Sequence, residues 1–120
     1  MNFSIAYGKT AYGFASDWGV SLDEAQAALD RWYADRPEVK QWQETIKQIA
    51  VNRGYSKTML GRYRRLTDLV RHKERAKRQH GLRVAINTPI QGSAADIVNA
   101  AMIKVYIDPL LKELGWEMVL

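Results

Sequence analysis

Two helix signals between Ser21 and Gly54 constrain the fold of this chain more than any other feature. Residues 21–24, Ser-Leu-Asp-Glu, have the form of a capping box, in which the serine and glutamate side chains each accept from the other's backbone amide. Pro37 fits the first turn of a second helix, and Gly54 fits its end. Apolar residues recur at helical spacing in both segments: Leu22, Ala25, Leu29, Trp32 and Tyr33, then Val39, Trp42, Ile46, Ile49 and Ala50. We therefore expect two amphipathic helices.

The segments around this pair predict a mainly α-helical chain with one small β-hairpin. A short helix is expected to end at Gly8, and a second one to run from residue 9 to residue 18. Residues 55–66 change in character and predict a hairpin that turns near Gly61. Residues 68–86 predict one helix, whose charged middle is weakened by a glycine at position 81.

The C-terminal third predicts the longest apolar helix and a final strand. The helix begins near Pro89, and Pro109 is expected to kink or restart it. Its inward face is expected to hold Ile90, Ala94, Ile97, Val98, Ala101, Met102 and Val105. Residues 116–120 alternate as a strand does. Because a lone strand is unstable and the first helix has no cap before it, we expect a sequence cut at both ends.

Composition excludes several classes of function. The chain has no cysteine, so disulfides and thiolate metal sites are excluded, and its two histidines make a zinc site improbable. No window approaches the ~20 apolar residues that span a bilayer. The N-terminus lacks the basic flank of a signal peptide.

Basic residues are concentrated in one block. The net charge is +5, and nine of the eighteen Lys and Arg residues lie between Arg62 and Arg83, with only two acids among them. Such a block is typical of a polyanion partner such as a nucleic acid. A solvated basic helix face explains it equally well, so charge alone leaves both interpretations open.

Three polar side chains follow this block at a spacing of four. Arg83, Asn87 and Gln91 would share one face of a continuous helix, which Pro89 and Gly92 are expected to bend. An ordinary polar helix surface accounts for them. A donor row that senses the acceptors of the DNA minor groove is the sharper hypothesis.

Three stretches in order resemble family A DNA polymerases, the class of bacterial DNA polymerase I. Residues 2–8, Asn-Phe-Ser-Ile-Ala-Tyr-Gly, are similar to the end of motif B of that family. Residues 58–62, Thr-Met-Leu-Gly-Arg, resemble its Thr-Leu-x-Gly-Arg hairpin. Residues 83–96 resemble its Arg-x-x-Ile-Asn-x-Pro-x-Gln-Gly-Thr/Ser-Ala-Ala-Asp segment. Residues 17–21 and 35–43 look most like the plant and protist organellar branch, which suggests a plastid or a mitochondrion.

The resemblance implies a fold, partners and site residues. The chain would form fingers and part of the palm of a right-hand polymerase, with fingers helices and hairpin in residues 1–66. Residues 67–120 would form the basic helix, the long helix and a strand leading into the palm. The partners would be primer–template DNA and a dNTP. The sequence itself shows no membrane segment, and no protein partner is evident in it. Phe3 would face the nucleotide, Tyr7 the templating base, and Gly8 would permit close approach.

The resemblance also assigns the DNA contacts and the metals. Arg83, Asn87 and Gln91 would check the primer terminus from the minor groove, and Arg62 would contact phosphate. The parent enzyme would use two Mg²⁺ ions, with every metal ligand outside this sequence, so the chain alone is predicted to be inactive. Asp96 is expected to be structural. Leu82 departs from the family's usual Glu and puts only a local ion pair in doubt.

Two other classes of function stay open. The first is a stand-alone basic helical module that binds nucleic acid without catalysis. The second is a helical interaction protein whose basic face is only solvated. Salt-dependent binding of duplex DNA would separate both DNA-binding interpretations from this last one.

Overall fold

The computed structural model describes the backbone of residues 2–119 and the side chains of residues 4–119. The elements of this part of the chain follow in order: α1 Asn2–Ala6, α2 Ala11–Trp18, α3 Leu22–Ala34, α4 Pro37–Arg53, β1 Tyr55–Lys57, β2 Tyr63–Arg65, α5 Thr67–Val70, α6 Arg75–Asn87, a π-helical segment Thr88–Gly92, α7 Ser93–Ile107 and α8 Pro109–Glu113. The expectation of a mainly α-helical chain with a small hairpin is confirmed. Among the described residues, no helix is long and apolar enough to cross a membrane.

The helix pair α3 and α4 forms where the sequence signals predict it. The Ser21 amide donates to the Glu24 carboxylate at 3.0 Å, and the Glu24 amide donates to the Ser21 hydroxyl at 3.2 Å. The Ser21 amide, and then its hydroxyl, lower the pKa of the Glu24 carboxyl. Pro37 is the first residue of α4, and Gly54 ends it with φ +77°.

The hairpin is antiparallel and short. Tyr55 pairs with Arg65, Ser56 with Arg64, and Lys57 with Tyr63. The turn contains Gly61 at φ +94°, a conformation that glycine adopts without steric cost. The predicted turn position is therefore confirmed.

Two buried clusters organise the described helices. The first joins α1, α2 and α3 and contains Ile5, Ala11, Phe14, Ala25, Leu29 and Trp32. The second joins α4, α5 and α6 with the end of the hairpin and contains Ala50, Leu66, Val70 and Ala85. The second cluster includes Ala85 of α6, the helix that carries Arg83 and Asn87.

The single helix predicted for residues 68–86 is wrong. The chain forms α5 and α6, separated by residues 71–74, where the Arg78 guanidinium donates to the His72 carbonyl at 2.9 Å. Gly81, expected to weaken the helix, is instead where α5 crosses α6. A Cβ on Gly81 would lie 2.8 Å from Leu69 Cβ and 3.0 Å from the Val70 nitrogen. A tertiary crossing therefore divides the helix.

The apolar face predicted for the last long helix is not buried in this chain. Ile97, Val98 and Val105 on α7 are 54%, 55% and 40% exposed. The neighbours that pack most against α7 are the π-helical segment and α8, at its two ends. The apolar pattern predicted the helix correctly, but the apolar face of α7 is exposed in the described chain.

The predicted C-terminal strand is also wrong for the described residues. Residues 116–119 are irregular, and residue 120 lies outside the described part of the chain. Gly115 adopts φ +75°, and the Trp116 amide donates to the Leu111 carbonyl at 2.9 Å. This turn folds the chain back on α8, whereas a strand needs a neighbouring strand to accept its hydrogen bonds.

Candidate nucleic-acid interface

The helix bends at Pro89 by widening into a π-helical segment. Proline has no amide hydrogen, and its ring clashes with the carbonyl four residues earlier in an α-helix, here that of Ala85. A π-helical turn bonds residue i to residue i+5 and so makes room for the ring. The predicted interruption is confirmed as a widened turn between α6 and α7.

The hairpin supplies the hydrogen bond that Pro89 cannot make. The Ser56 hydroxyl on β1 donates to the Ala85 carbonyl at 2.9 Å, and both residues are buried. A buried carbonyl without a donor would be destabilising. The bend and the hairpin are therefore parts of one structural unit.

Further contacts hold the hairpin turn against the start of α7. The Met59 amide donates to the Ser93 hydroxyl at 2.8 Å. A Cβ on Gly92 would lie only 2.6 Å from Thr58 Cγ2, so only glycine permits this approach. The Thr58 hydroxyl in turn accepts from the Arg62 amide at 3.0 Å.

Arg62 bridges the hairpin to α7. Its guanidinium donates to the Asp96 carboxylate through Nε at 2.8 Å and to the Gly92 carbonyl through Nη2 at 3.1 Å. Asp96 is buried, while the Arg62 side chain is 59% exposed. Asp96 therefore has the structural role expected from the sequence, and Arg62 keeps an exposed edge.

The surroundings of Asp96 favour its charged form. The Thr58 hydroxyl has the largest effect and lowers the pKa of the Asp96 carboxyl. Burial raises this pKa, and the Arg62 guanidinium and the Leu60 amide lower it further. The net result is a pKa below the ordinary aspartate value.

This lowered pKa predicts an acid-sensitive contribution to stability. The interactions of Thr58 and Arg62 with the Asp96 carboxylate stabilise the fold above the pKa of the unfolded chain, at about pH 4, and this contribution is lost as pH falls through the lower folded pKa. We expect Asp96→Asn to be less stable than the wild type near pH 7, with the difference shrinking as pH falls from 5 to 2. Thermal denaturation across this range measures it. Glu117→Gln, an exposed acid, should leave the pH profile unchanged, and a constant wild-type-to-D96N difference would contradict the assignment.

A cleft of about 280 Å³ lies where the hairpin meets the bend. Residues of both elements line it: Thr58, Arg62, Tyr63, Arg64, Asn87, Thr88, Gln91 and Gly92. The structure thus brings together Arg62, Asn87 and Gln91, which the sequence singled out separately. Sequence reasoning missed Arg64 and Tyr63. Arg64 is paired with Ser56 across the hairpin. The side chains of Arg64 and Ser56 therefore lie on the same face of the hairpin, the face that meets α6.

The donors around this cleft differ in how far the protein already uses them. Within the described part of the chain, the side chains of Arg64, Arg83 and Gln91 form no hydrogen bond or ion pair, and all three residues are exposed. Asn87 is half-buried, and its Oδ1 is a buried acceptor that has no partner among the described contacts. Arg83 lies one turn before Asn87 on α6 and does not line the cleft. The arrangement offers cationic and amide donors to an external acceptor surface.

The end of α1 lies beside Arg83. Gly8 adopts φ +80°, and a Cβ there would lie 3.1 Å from Ile86 Cδ1 and 3.8 Å from Arg83 Cγ. Tyr7 is half-buried and lies in the turn just after α1, not within it. The Phe3 side chain lies outside the described residues, so its predicted alignment with Tyr7 stays a prediction. The structure nevertheless makes the segment at Tyr7 and Gly8 adjacent to the donor row.

Within the part of the chain that the structure describes, no group of three or more His, Cys, Asp or Glu side chains could hold a metal ion. Asp96 is buried and paired with Arg62.

A family model described as DNA polymerase family A matches residues 1–120. "DNA polymerase I A, chloroplastic/mitochondrial" of Arabidopsis thaliana is 53% identical over 120 residues, which cover 100% of this chain and 11% of that protein. "DNA polymerase I B, mitochondrial" of Oryza sativa subsp. japonica is 43% identical over all of this chain and 12% of its own length. "DNA polymerase I, thermostable" of Thermus aquaticus is 35% identical over all of this chain and 14% of its own length.

A solved structure shares the fold. The POL domain of Pol1 from M. smegmatis, in complex with DNA primer-template and dNTP, matches with a TM-score of 0.87 and 36% identity. The match covers 98% of this chain and 20% of that one. The chain thus spans a small part, between a tenth and a fifth, of the relatives named here.

Proposed function

Because this chain belongs to DNA polymerase family A, we propose that it works within a template-directed polymerase that extends a DNA primer with dNTPs. Residues 1–66 act as fingers helices and hairpin, and residues 67–120 lead into the palm. The observation that carries the proposal is the cleft that combines Asn87 and Gln91 with the arginines of the hairpin. The substrate class rests on family membership, and the role of the cleft rests on its donors.

The donor row acts as a minor-groove check on the primer terminus. Purine N3 and pyrimidine O2 are acceptors at every base pair, so a donor aimed at them senses pair geometry without reading sequence. Gln91 and Arg83 are exposed donors with no partner among the described residues, and Asn87 lies between them along the helix. A mispair moves the acceptor and leaves the donor unpaired.

The segment at Tyr7 and Gly8 acts on the nascent base pair. A Cβ on Gly8 would lie 3.8 Å from Arg83 Cγ, and this closeness to the donor row supports the assignment. A flat aromatic ring stacks on a correct pair and excludes a misfit, which suits Tyr7 and, by the resemblance, Phe3. Gly8 has φ +80°, which glycine adopts without steric cost, and would permit close backbone approach.

The basic residues of the hairpin hold the duplex by its phosphates. Arg64 is an exposed cation at the cleft, and Arg62 keeps part of its guanidinium exposed beyond its pair with Asp96. Phosphate contacts fix the position of a duplex and carry no sequence information. Divalent metal ions would neutralise charge on the reacting phosphates, and we assign no residue of this chain to them. The organellar relatives support a plastid or mitochondrial location for the polymerase.

Salt dependence of duplex binding tests this proposal directly. We expect a polymerase that carries this chain to bind primer–template DNA more weakly as KCl rises. Arg64→Gln should weaken binding and reduce the slope of log K against log salt by about 1, because one phosphate contact is lost. Fluorescence anisotropy with a labelled duplex measures both quantities.

The matched control is Arg31→Gln, which removes an exposed arginine from α3, away from the cleft. It should leave the slope unchanged. Binding that does not respond to salt would support the solvated basic face instead. Equal slopes for Arg64→Gln and the wild type would remove the hairpin from the DNA interface.

A further inference from the structure

Gln43 connects α4 to the end of α1 through a fully used side-chain amide. The residue is 3% exposed. Its Nε2 donates to the Ile5 carbonyl at 2.9 Å and to the Ala6 carbonyl at 3.0 Å, and its Oε1 accepts from the Tyr33 hydroxyl at 2.8 Å. These contacts join α1, α3 and α4. Gln43 follows Ile5 by 38 residues and Ala6 by 37 residues in the sequence.

The partners determine the orientation of this amide. Backbone carbonyls only accept hydrogen bonds, so the nitrogen must face α1 and the oxygen must face Tyr33. Burial has the largest effect on the Tyr33 hydroxyl and raises its pKa, so this hydroxyl, like an ordinary tyrosine, is protonated at physiological pH. A flip of the amide would oppose acceptor to acceptor at α1.

The helix α1 depends on contacts with the rest of the fold for its stability. α1 has five residues, and a helix of this length is marginal in water. The Ile5 carbonyl also accepts from the Gly8 amide at 2.8 Å, whereas Gln43 is the donor that the described contacts show for the Ala6 carbonyl. Ile5, 1% exposed in the first cluster, and the backbone hydrogen bonds from Gly8 to Ile5 and from Lys9 to Ser4 also hold α1. Gln43 is the side chain that ties the end of α1 to α4.

We infer that Gln43 is a positioning residue for the nascent base pair, acting through the peptide unit between Ala6 and Tyr7. The inference rests on the proposed function, because it assigns Tyr7 to that pair. The carbonyl of Ala6 belongs to the peptide bond that leads into Tyr7, so fixing it fixes where the aromatic ring begins. Gln43 touches neither nucleotide nor DNA, and its effect is on geometry alone.

The test is Gln43→Met in a polymerase that carries this chain. Methionine has similar volume and no donor, so the Ala6 carbonyl loses its donor and the Ile5 carbonyl keeps only the Gly8 amide, while the packing is largely kept. We expect about tenfold weaker dNTP affinity and about tenfold more misincorporation, with duplex affinity within about twofold of the wild type. Single-turnover incorporation at varied dNTP concentration gives the nucleotide affinity, and the burst amplitude gives the active fraction.

Two variants separate positioning from folding. Gln41→Met changes an exposed glutamine on the same helix and should leave every parameter unchanged. Tyr33→Phe removes only the hydroxyl that orients the amide, so it should show the same effects at smaller size even if Gln43→Met does not fold. A purely structural role would lower the burst amplitude and melting temperature while active molecules kept wild-type nucleotide affinity.

The outcomes distinguish this inference from the proposed function. If the wild-type polymerase fails to incorporate nucleotides on a primer–template, the proposed function is wrong. If the wild type incorporates normally and both Gln43→Met and Tyr33→Phe keep its dNTP affinity and error rate, the positioning role is overturned and the proposed function stands.

Discussion

Gln91→Ala is expected to slow extension from a matched primer terminus by about 5- to 150-fold in a polymerase that carries this chain. Gln91 is exposed at the cleft, and its side-chain amide has no hydrogen-bond partner among the described residues. Its donor is therefore free for a base-pair acceptor, and the lost hydrogen bond leaves that acceptor unpaired. Extension from a mismatched terminus should slow much less, because a mispair has already displaced the acceptor. Single-turnover extension of paired and mispaired primers measures both rates.

The specificity of this prediction lies in the ratio of the two rates. Gln48→Ala removes an exposed glutamine from α4, and we expect it to change neither rate. Asn87→Ala should reduce the matched rate in the same direction, since Asn87 lines the same cleft. Unchanged kinetics on both termini for Gln91→Ala would exclude Gln91 from the minor-groove check.

Local signals in the sequence predicted the local structure correctly. The capping box at Ser21, the proline at position 37 and the glycine at position 54 each act through their own backbone or a residue three positions away. Such signals need no knowledge of the rest of the fold. The separation of α5 from α6 was not predictable in this way, because it depends on Leu69 meeting Gly81 in space.

The candidate site shows the same division. The spacing of Asn87 and Gln91 predicted a shared face, and the family resemblance supplied its proposed target. The hairpin arginine at position 64 was missed, since its place at the cleft depends on Ser56 reaching the Ala85 carbonyl that Pro89 leaves free. The apolar pattern of α7 predicted a buried face but could not identify what covers it.

Gly92→Ala is expected to lower the free energy of unfolding by about 1–3 kcal/mol. The new Cβ would lie 2.6 Å from Thr58 Cγ2, so the hairpin turn must move away from the π-helical segment. This movement would disturb the hydrogen bond from Arg62 to the Gly92 carbonyl and reshape the cleft. Elsewhere in a helix the same substitution stabilises by about 1 kcal/mol, so the sign itself is informative. Chemical denaturation of the variant and the wild type measures the difference.

A second substitution should restore what Gly92→Ala removes. Thr58→Ser deletes Cγ2 but keeps the hydroxyl that accepts from the Arg62 amide, so the double variant has room for the new methyl group. We expect the double variant to recover most of the lost stability, so its destabilisation would be smaller than the sum of the two single effects. Gly13→Ala is the matched control, because its new Cβ would meet the flexible Lys9 side chain at 3.2 Å and Thr10 Oγ1 at an ordinary 3.7 Å. If Gly92→Ala proves as stable as Gly13→Ala, the close contact between Thr58 and Gly92 does not hold the cleft together, and the hairpin is attached chiefly through Ser56 and Arg62.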